Sequence, residues 1–95
     1  MNSSNELNQQ RIQKIKQLLE SSLTPTELII DDESHLHAGH AGAKTGKGHF
    51  KVKIKSSKFN TLMPLKRHQL VYQSLGDMME TDIHALSIQA LTDLN

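Results

Sequence analysis

The stretch Gly48-His49-Phe50-Lys51-Val52-Lys53-Ile54-Lys55-Ser56-Ser57 decides the fold. From Phe50 to Lys55 apolar and basic residues alternate strictly, with Phe50, Val52 and Ile54 set against Lys51, Lys53 and Lys55. A period of two sends successive side chains to opposite faces of a strand. This strand must bury one face and present a row of lysines on the other. A single buried face needs a covering layer, and the flanking sequence reads as helices able to supply it.

Working upstream, Glu27 to Asp32 contains Leu28-Ile29-Ile30 and reads as a second strand. Between the two strands runs SHLHAGHAGAKTGKG, residues 34–48, a loop rich in Gly, Ala and His. A loop of that length in so small a domain is uncommon and usually has a function. Before the strand, Ile12, Ile15, Leu19 and Leu23 recur at three- and four-residue spacing within an amphipathic helix of about residues 4–23. Leu18 stands at the edge of that stripe, and Arg11, Lys14 and Lys16 are expected off it. A hydroxyl from Ser3 or Ser4 can cap the helix start. Thr24-Pro25 ends it, because a residue before proline is pushed out of the α region.

Downstream of Ser57 the pattern turns helical. Lys58 to Met63 reads as a short helix or turn, and Pro64 suits the first turn of a longer helix. Leu65, His68, Tyr72, Leu75 and Met79 fall on one arc at 100° per residue, which predicts that they face the core. His68, central in that arc, is read as a structural residue or one that steadies a ligand from behind. Asp82 to Ala90 reads as a third strand with His84, Leu86, Ile88 and Ala90 on one face. The order α-β-β-α(α)-β describes an α+β domain with a three-stranded sheet and helices packed on one face. The expected limits are a flexible segment over 1–6, the domain over 7–91 and a tail over 92–95.

Length and composition bound the function. The 95 residues allow one small domain, and 36% hydrophobic with 22% charged residues is the balance of a soluble globular chain. Apolar runs are too short to span a bilayer, and MNSSNELNQQ lacks an apolar signal-like core, so a cytoplasmic protein without membrane contact is expected. The absence of cysteine excludes disulfides, thiol catalysis and a thiolate metal site built by this chain alone. No GxSxG elbow or paired-carboxylate arrangement is visible, so the reading is not an enzyme.

Net charge is only +1, yet eight basic residues and no acid lie between Lys44 and Arg67. Lys51, Lys53, Lys55, Lys58, Lys66 and Arg67 form a candidate phosphate-contacting set. The alternative is a solvated strand face whose lysines also discourage edge pairing. With only Tyr72, Phe50 and Phe59 as aromatics, base stacking on an aromatic platform is disfavoured.

Six histidines are the compositional oddity, and His35, His37, His40 and His49 fall between positions 35 and 49. Imidazole is the commonest protein ligand for zinc, copper and iron, so the loop is a candidate metal site. No HExxH helix is present, and solvated loop histidines are the competing reading. His84, at the start of the last strand, can keep a ring nitrogen exposed. Gly39-His40-Ala41-Gly42 formally matches the GxxG clamp of KH domains. It lies between the first two strands, however, whereas the clamp belongs between the central helices, where Asn60 to Arg67 has no glycine. The match is accidental.

Five blocks, in order, resemble the BolA family. They are Asp32-Glu33-Ser34-His35-Leu36-His37-Ala38-Gly39-His40, then Gly48-His49-Phe50-Lys51-Val52, then Ser56-Ser57-Lys58-Phe59. Lys66-Arg67-His68-Gln69-Leu70-Val71-Tyr72 and Ile83-His84-Ala85-Leu86-Ser87-Ile88 complete the set, which covers about Ile12 to Leu91. A departure is Asn60 after Phe59, where relatives commonly carry glycine. The resemblance implies a class II KH-like α+β fold and partnership with a monothiol glutaredoxin, with a [2Fe–2S] cluster bridging the two proteins. Glutaredoxin and glutathione would supply the thiolates, so no cofactor is expected in the isolated chain. This chain would supply His84 and a loop histidine, with His40 and His37 ranked ahead of His35 and His49. Two imidazoles on one iron is sound chemistry, as in Rieske centres. The resemblance equally implies a DNA-binding regulator of stress response and cell morphology, for which the basic segment 44–67 would be the contact surface.

Overall fold

The computed structural model describes residues 3–34 and 46–94. Helix α1 (Ser3–Leu23) is followed by strands β1 (Glu27–Asp32) and β2 (Gly48–Ser56). A 3-10 turn (Ser57–Phe59), helix α2 (Pro64–Leu75), the short helix α3 (Met78–Thr81) and strand β3 (Ile83–Thr92) complete the chain. The sheet order is β1-β2-β3, with β1 antiparallel and β3 parallel to the central β2. The three-stranded mixed sheet and helical layer are the α+β architecture expected from the residue pattern.

The inner face of the central strand β2 is apolar from Phe50 to Ile54. Phe50, Val52 and Ile54 are buried, and they meet Ile15, Leu19 and Leu23 of α1 and Val71 and Leu75 of α2 in one core. Phe59, Met78 and Ile83 close it. Burial of each such side chain contributes about 1.5–3 kcal/mol before entropy is counted. The sheet's other face carries Lys51, Lys53 and Lys55, as the alternation requires.

α1 stops at Leu23, and Thr24 adopts φ 41, a left-handed residue leading into Pro25. Ser56, fully buried, donates its hydroxyl to the Leu23 carbonyl at 2.6 Å and accepts from Lys58 N at 3.1 Å. It ties the end of α1 to the end of β2. α2 ends at Gly76, whose φ of 56 suits a residue without a Cβ.

Three sequence expectations need correction. The buried face of α2 is Val71 and Leu75, with Leu70 packed beside them; Leu65 is 69% exposed and Tyr72 is also exposed. A stripe one residue out of register differs by only 100°, and Leu70-Val71 competes with Leu65 and Tyr72 for the inner position. Met79 belongs to α3, beyond the Gly76 break. Second, Arg11 lies on the buried face of α1 rather than off it. Third, His84 is exposed, as its terminal position allows, but it does not continue the Leu86, Ile88 and Ala90 face; Ile83 takes the inward place, for a reason that lies in strand register. Among the described residues no helix is long and apolar enough to cross a membrane.

Candidate functional site

The site is assembled where β2 and β3 begin. Along most of their length the strands pair one to one, from His49 with Ala85 to Ser56 with Thr92. At the first step the register slips: Gly48 pairs with Ile83 and His49 with Ala85, leaving His84 as the extra residue of a bulge. Bulges bend a strand and re-aim a side chain. Here the slip lets Ile83 enter the core while His84 is exposed. The His84 and His49 ring centroids are 5.0 Å apart with planes inclined at 49°.

His49 is only 5% exposed although it shares the strand face of the lysines. Glu33 N donates to its carbonyl at 2.8 Å, and its own N donates to Ser34 Oγ at 3.0 Å. Its side chain borders a cleft of about 240 Å³ formed with Glu33, Phe50, Ala85, Leu86 and Ser87.

A polar chain runs behind this pair. Asp82, two residues before His84, accepts Gly48 N on its carbonyl at 2.9 Å and Arg11 Nε on its carboxylate at 3.2 Å. Arg11 Nη1 donates to Asn8 Oδ1 at 2.9 Å, and Asn8 Nδ2 donates to Ser34 Oγ at 3.3 Å. Asp32 Oδ1 accepts Ser34 N at 2.9 Å, turning the chain out of β1. The Thr81 hydroxyl and then the Arg11 guanidinium hold the Asp82 carboxyl below the usual carboxylate range, against burial that pushes it up. Sequence reasoning missed Asn8 and Arg11. The available signal was their position, since both continue the Ile15, Leu19, Leu23 stripe at helical spacing.

Chemically, two neutral imidazoles are a borderline-soft donor pair suited to iron, zinc or copper. With a metal–nitrogen bond of about 2.1 Å each centroid stands about 3.2 Å from the ion, so two rings at a near-tetrahedral angle come roughly 5 Å apart. The observed 5.0 Å matches that spacing between ring centres, while both His49 ring nitrogens are buried. Among the described residues no group of three or more His, Asp or Glu could hold a metal ion. Further ligands would therefore come from elsewhere. His35, His37 and His40 lie outside the described residues.

The basic residues are distributed differently. Lys51, Lys53 and Lys55 line the outer sheet face, facing Asp31, Ile29 and Glu27 of β1 in register. Lys53 Nζ is 3.2 Å from Glu27 Oε2. Two carboxylates thus interleave three lysines. Lys58 is exposed on the 3-10 turn and Lys66 on α2, in the layer across the sheet from the lysine row. Arg67 is half-buried, donating Nε to Leu62 O at 2.8 Å and Nη1 to Ala90 O at 3.2 Å, which fastens α2 to β3. His68 is half-buried on α2.

Comparisons with known proteins agree on one family. Residues 19–94 match the family model described as BolA-like protein. The chain is 44% identical over 85 residues to Protein BOLA1, chloroplastic, of Arabidopsis thaliana, covering 86% of this chain and 53% of that protein. It thus spans about half the length of that relative. It is 36% identical over 80 residues to the DNA-binding transcriptional regulator BolA of Haemophilus influenzae, covering 84% of this chain and 75% of that protein. Among solved structures, the BolA domain of SufE1 from Arabidopsis thaliana superposes with a TM-score of 0.78 at 41% identity, covering 87% of this chain and 92% of that one.

Proposed function

Since the chain belongs to the BolA-like family, we propose that it is a non-enzymatic adaptor that pairs with a monothiol glutaredoxin and shares a [2Fe–2S] cluster with it, in iron–sulfur trafficking or iron sensing. The observation that carries this reading is the exposed His84, displaced outward by the bulge and 5.0 Å from the His49 ring. The chain has no cysteine, so cluster thiolates would come from glutaredoxin and glutathione. His84 would be the first imidazole ligand. The second would come from the histidine-rich stretch, His40 or His37 by the resemblance, or His49 by its place beside His84.

Anaerobic cluster reconstitution with a monothiol glutaredoxin and glutathione tests this. The expected result is a stable heterocomplex whose visible spectrum differs from that of the glutaredoxin homodimer and changes in His84→Ala. Single alanine variants of His37, His40 and His49 then identify the second ligand by which one reproduces that change. No heterocomplex, or a spectrum indifferent to all four histidines, contradicts the reading.

A second reading is a DNA-binding regulator, favoured by the row Lys51, Lys53 and Lys55 and by the name of the Haemophilus relative. Glu27 and Asp31 of β1 lie beside that row, and Arg67 is bonded to backbone carbonyls. These features reduce the positive charge available for phosphate contact.

A further inference from the structure

We propose that Asn8 and Arg11 of α1, acting through Ser34 and Asp82, are positioning residues that hold the His49 and His84 rings as a pair. The use made of the pair rests on the adaptor reading above; the positioning itself is a property of the free chain.

Asn8 and Arg11 are 7% and 8% exposed, at the end of a helix stripe otherwise filled by Ile15, Leu19 and Leu23. A buried amide and guanidinium are costly unless they are hydrogen-bonded. Here the bonds run as one chain, from the Asp82 carboxylate through Arg11 and Asn8 to Ser34 Oγ. Each end of that chain grips a backbone segment next to a histidine. Ser34 Oγ accepts from His49 N, while Asp82, two residues ahead of the bulged His84, accepts from Gly48 N on its carbonyl. A Cβ on Gly48 would strike the Phe50 ring and stand 3.0 Å from Asn8 Oδ1. The Asn8 amide therefore lies close against the very step at which the register slips.

Fastening α1 to the sheet does not require such groups. Replacing buried charged and polar networks with well-packed apolar residues is often neutral or stabilising. A directional chain does what an apolar contact cannot, which is to fix two backbone segments relative to each other. Both helix residues precede the span 19–94 that the family model covers.

The test compares wild type with Ser34→Ala, which removes one oxygen serving two donors, and Asn8→Ala, which breaks the chain at its middle. The first readout is the NMR cross-peak between His49 and His84 ring protons in the free chain, with methyl shifts of Val52, Ile54 and Val71 reporting the core. The expected result is a cross-peak in wild type that is lost in either variant while the core methyl shifts persist. A purely structural role would lower the melting temperature and leave the cross-peak in place, and that result overturns the inference. If one variant fails to fold, the other decides. The second readout is the glutaredoxin heterocomplex, whose affinity should fall about tenfold or more, as is typical when groups that orient a metal ligand are removed. Its visible circular dichroism bands should shift as well. A lost cross-peak with an unchanged heterocomplex supports the positioning and overturns the use of the pair in cluster sharing, which keeps the two failures apart.

Discussion

The two regions rich in cationic or imidazole side chains are built on opposite plans. At the start of β2 and β3, a register slip, a glycine that admits close packing and a buried polar chain converge on two histidines. On the outer sheet face, three lysines follow from strand alternation alone and are interleaved with carboxylates. One region is preorganised at evident cost, whereas the other is what any half-solvated strand of this composition would show. Buried polar groups tied into a hydrogen-bonded chain are found at the histidine end, and the proposed cluster ligation draws on that end.

Substitutions at the two regions should differ in effect in the same way. Phe50→Ala should do the most damage, since its ring is buried in the core against Gly48, and a loss of about 3–5 kcal/mol is expected. Denaturant unfolding should show it, with both regions lost together. Gly48→Ala should separate them. The added methyl meets the Phe50 ring and Asn8, so about 1–3 kcal/mol should be lost with shifts at His49 and His84 and none along Lys53 and Lys55. An NMR shift map measures this, and a uniform shift pattern would deny the special character of the slip.

Acid titration should act on the same end. Asp82 is held below its ordinary value in the folded chain, so its contribution is fully present above the unfolded carboxylate pKa of about 3.9 and is lost as pH falls through the lower folded value. Asp82→Asn should therefore lower stability at neutral pH and remove part of the acid dependence, as read by thermal melts from pH 7 to pH 2. The smallest effect should come from Lys53→Ala. Its ion pair with Glu27 is solvent-exposed, and about 1 kcal/mol or less is expected in a melt at low salt.

Much of this was legible in the residues, for reasons that differ by element. β2 announced itself because strict alternation has one meaning, and Thr24-Pro25 closed α1 through local sterics. α2 was misfaced because Leu65, Val71, Tyr72 and Leu75 allow two stripes one residue apart, and the choice between them is made by what α1 and the sheet offer. The bulge at His84 leaves no local trace, since it exists only in the pairing with Gly48 and His49. The approach of His49 to His84 is likewise a property of the sheet and leaves no mark in the local sequence. Asn8 and Arg11 were hidden by their polarity, although they keep the helix period of the apolar residues that follow.

The central claim is that imidazole nitrogens of this chain bind the shared iron–sulfur cluster. It is tested most directly by pulsed EPR of the reduced heterocomplex, prepared with the chain labelled with nitrogen-15 in histidine and an unlabelled glutaredoxin. The expected spectrum has strong couplings from two labelled nitrogens, one of them lost in His84→Ala. A spectrum with no coupling to the labelled histidines would contradict it.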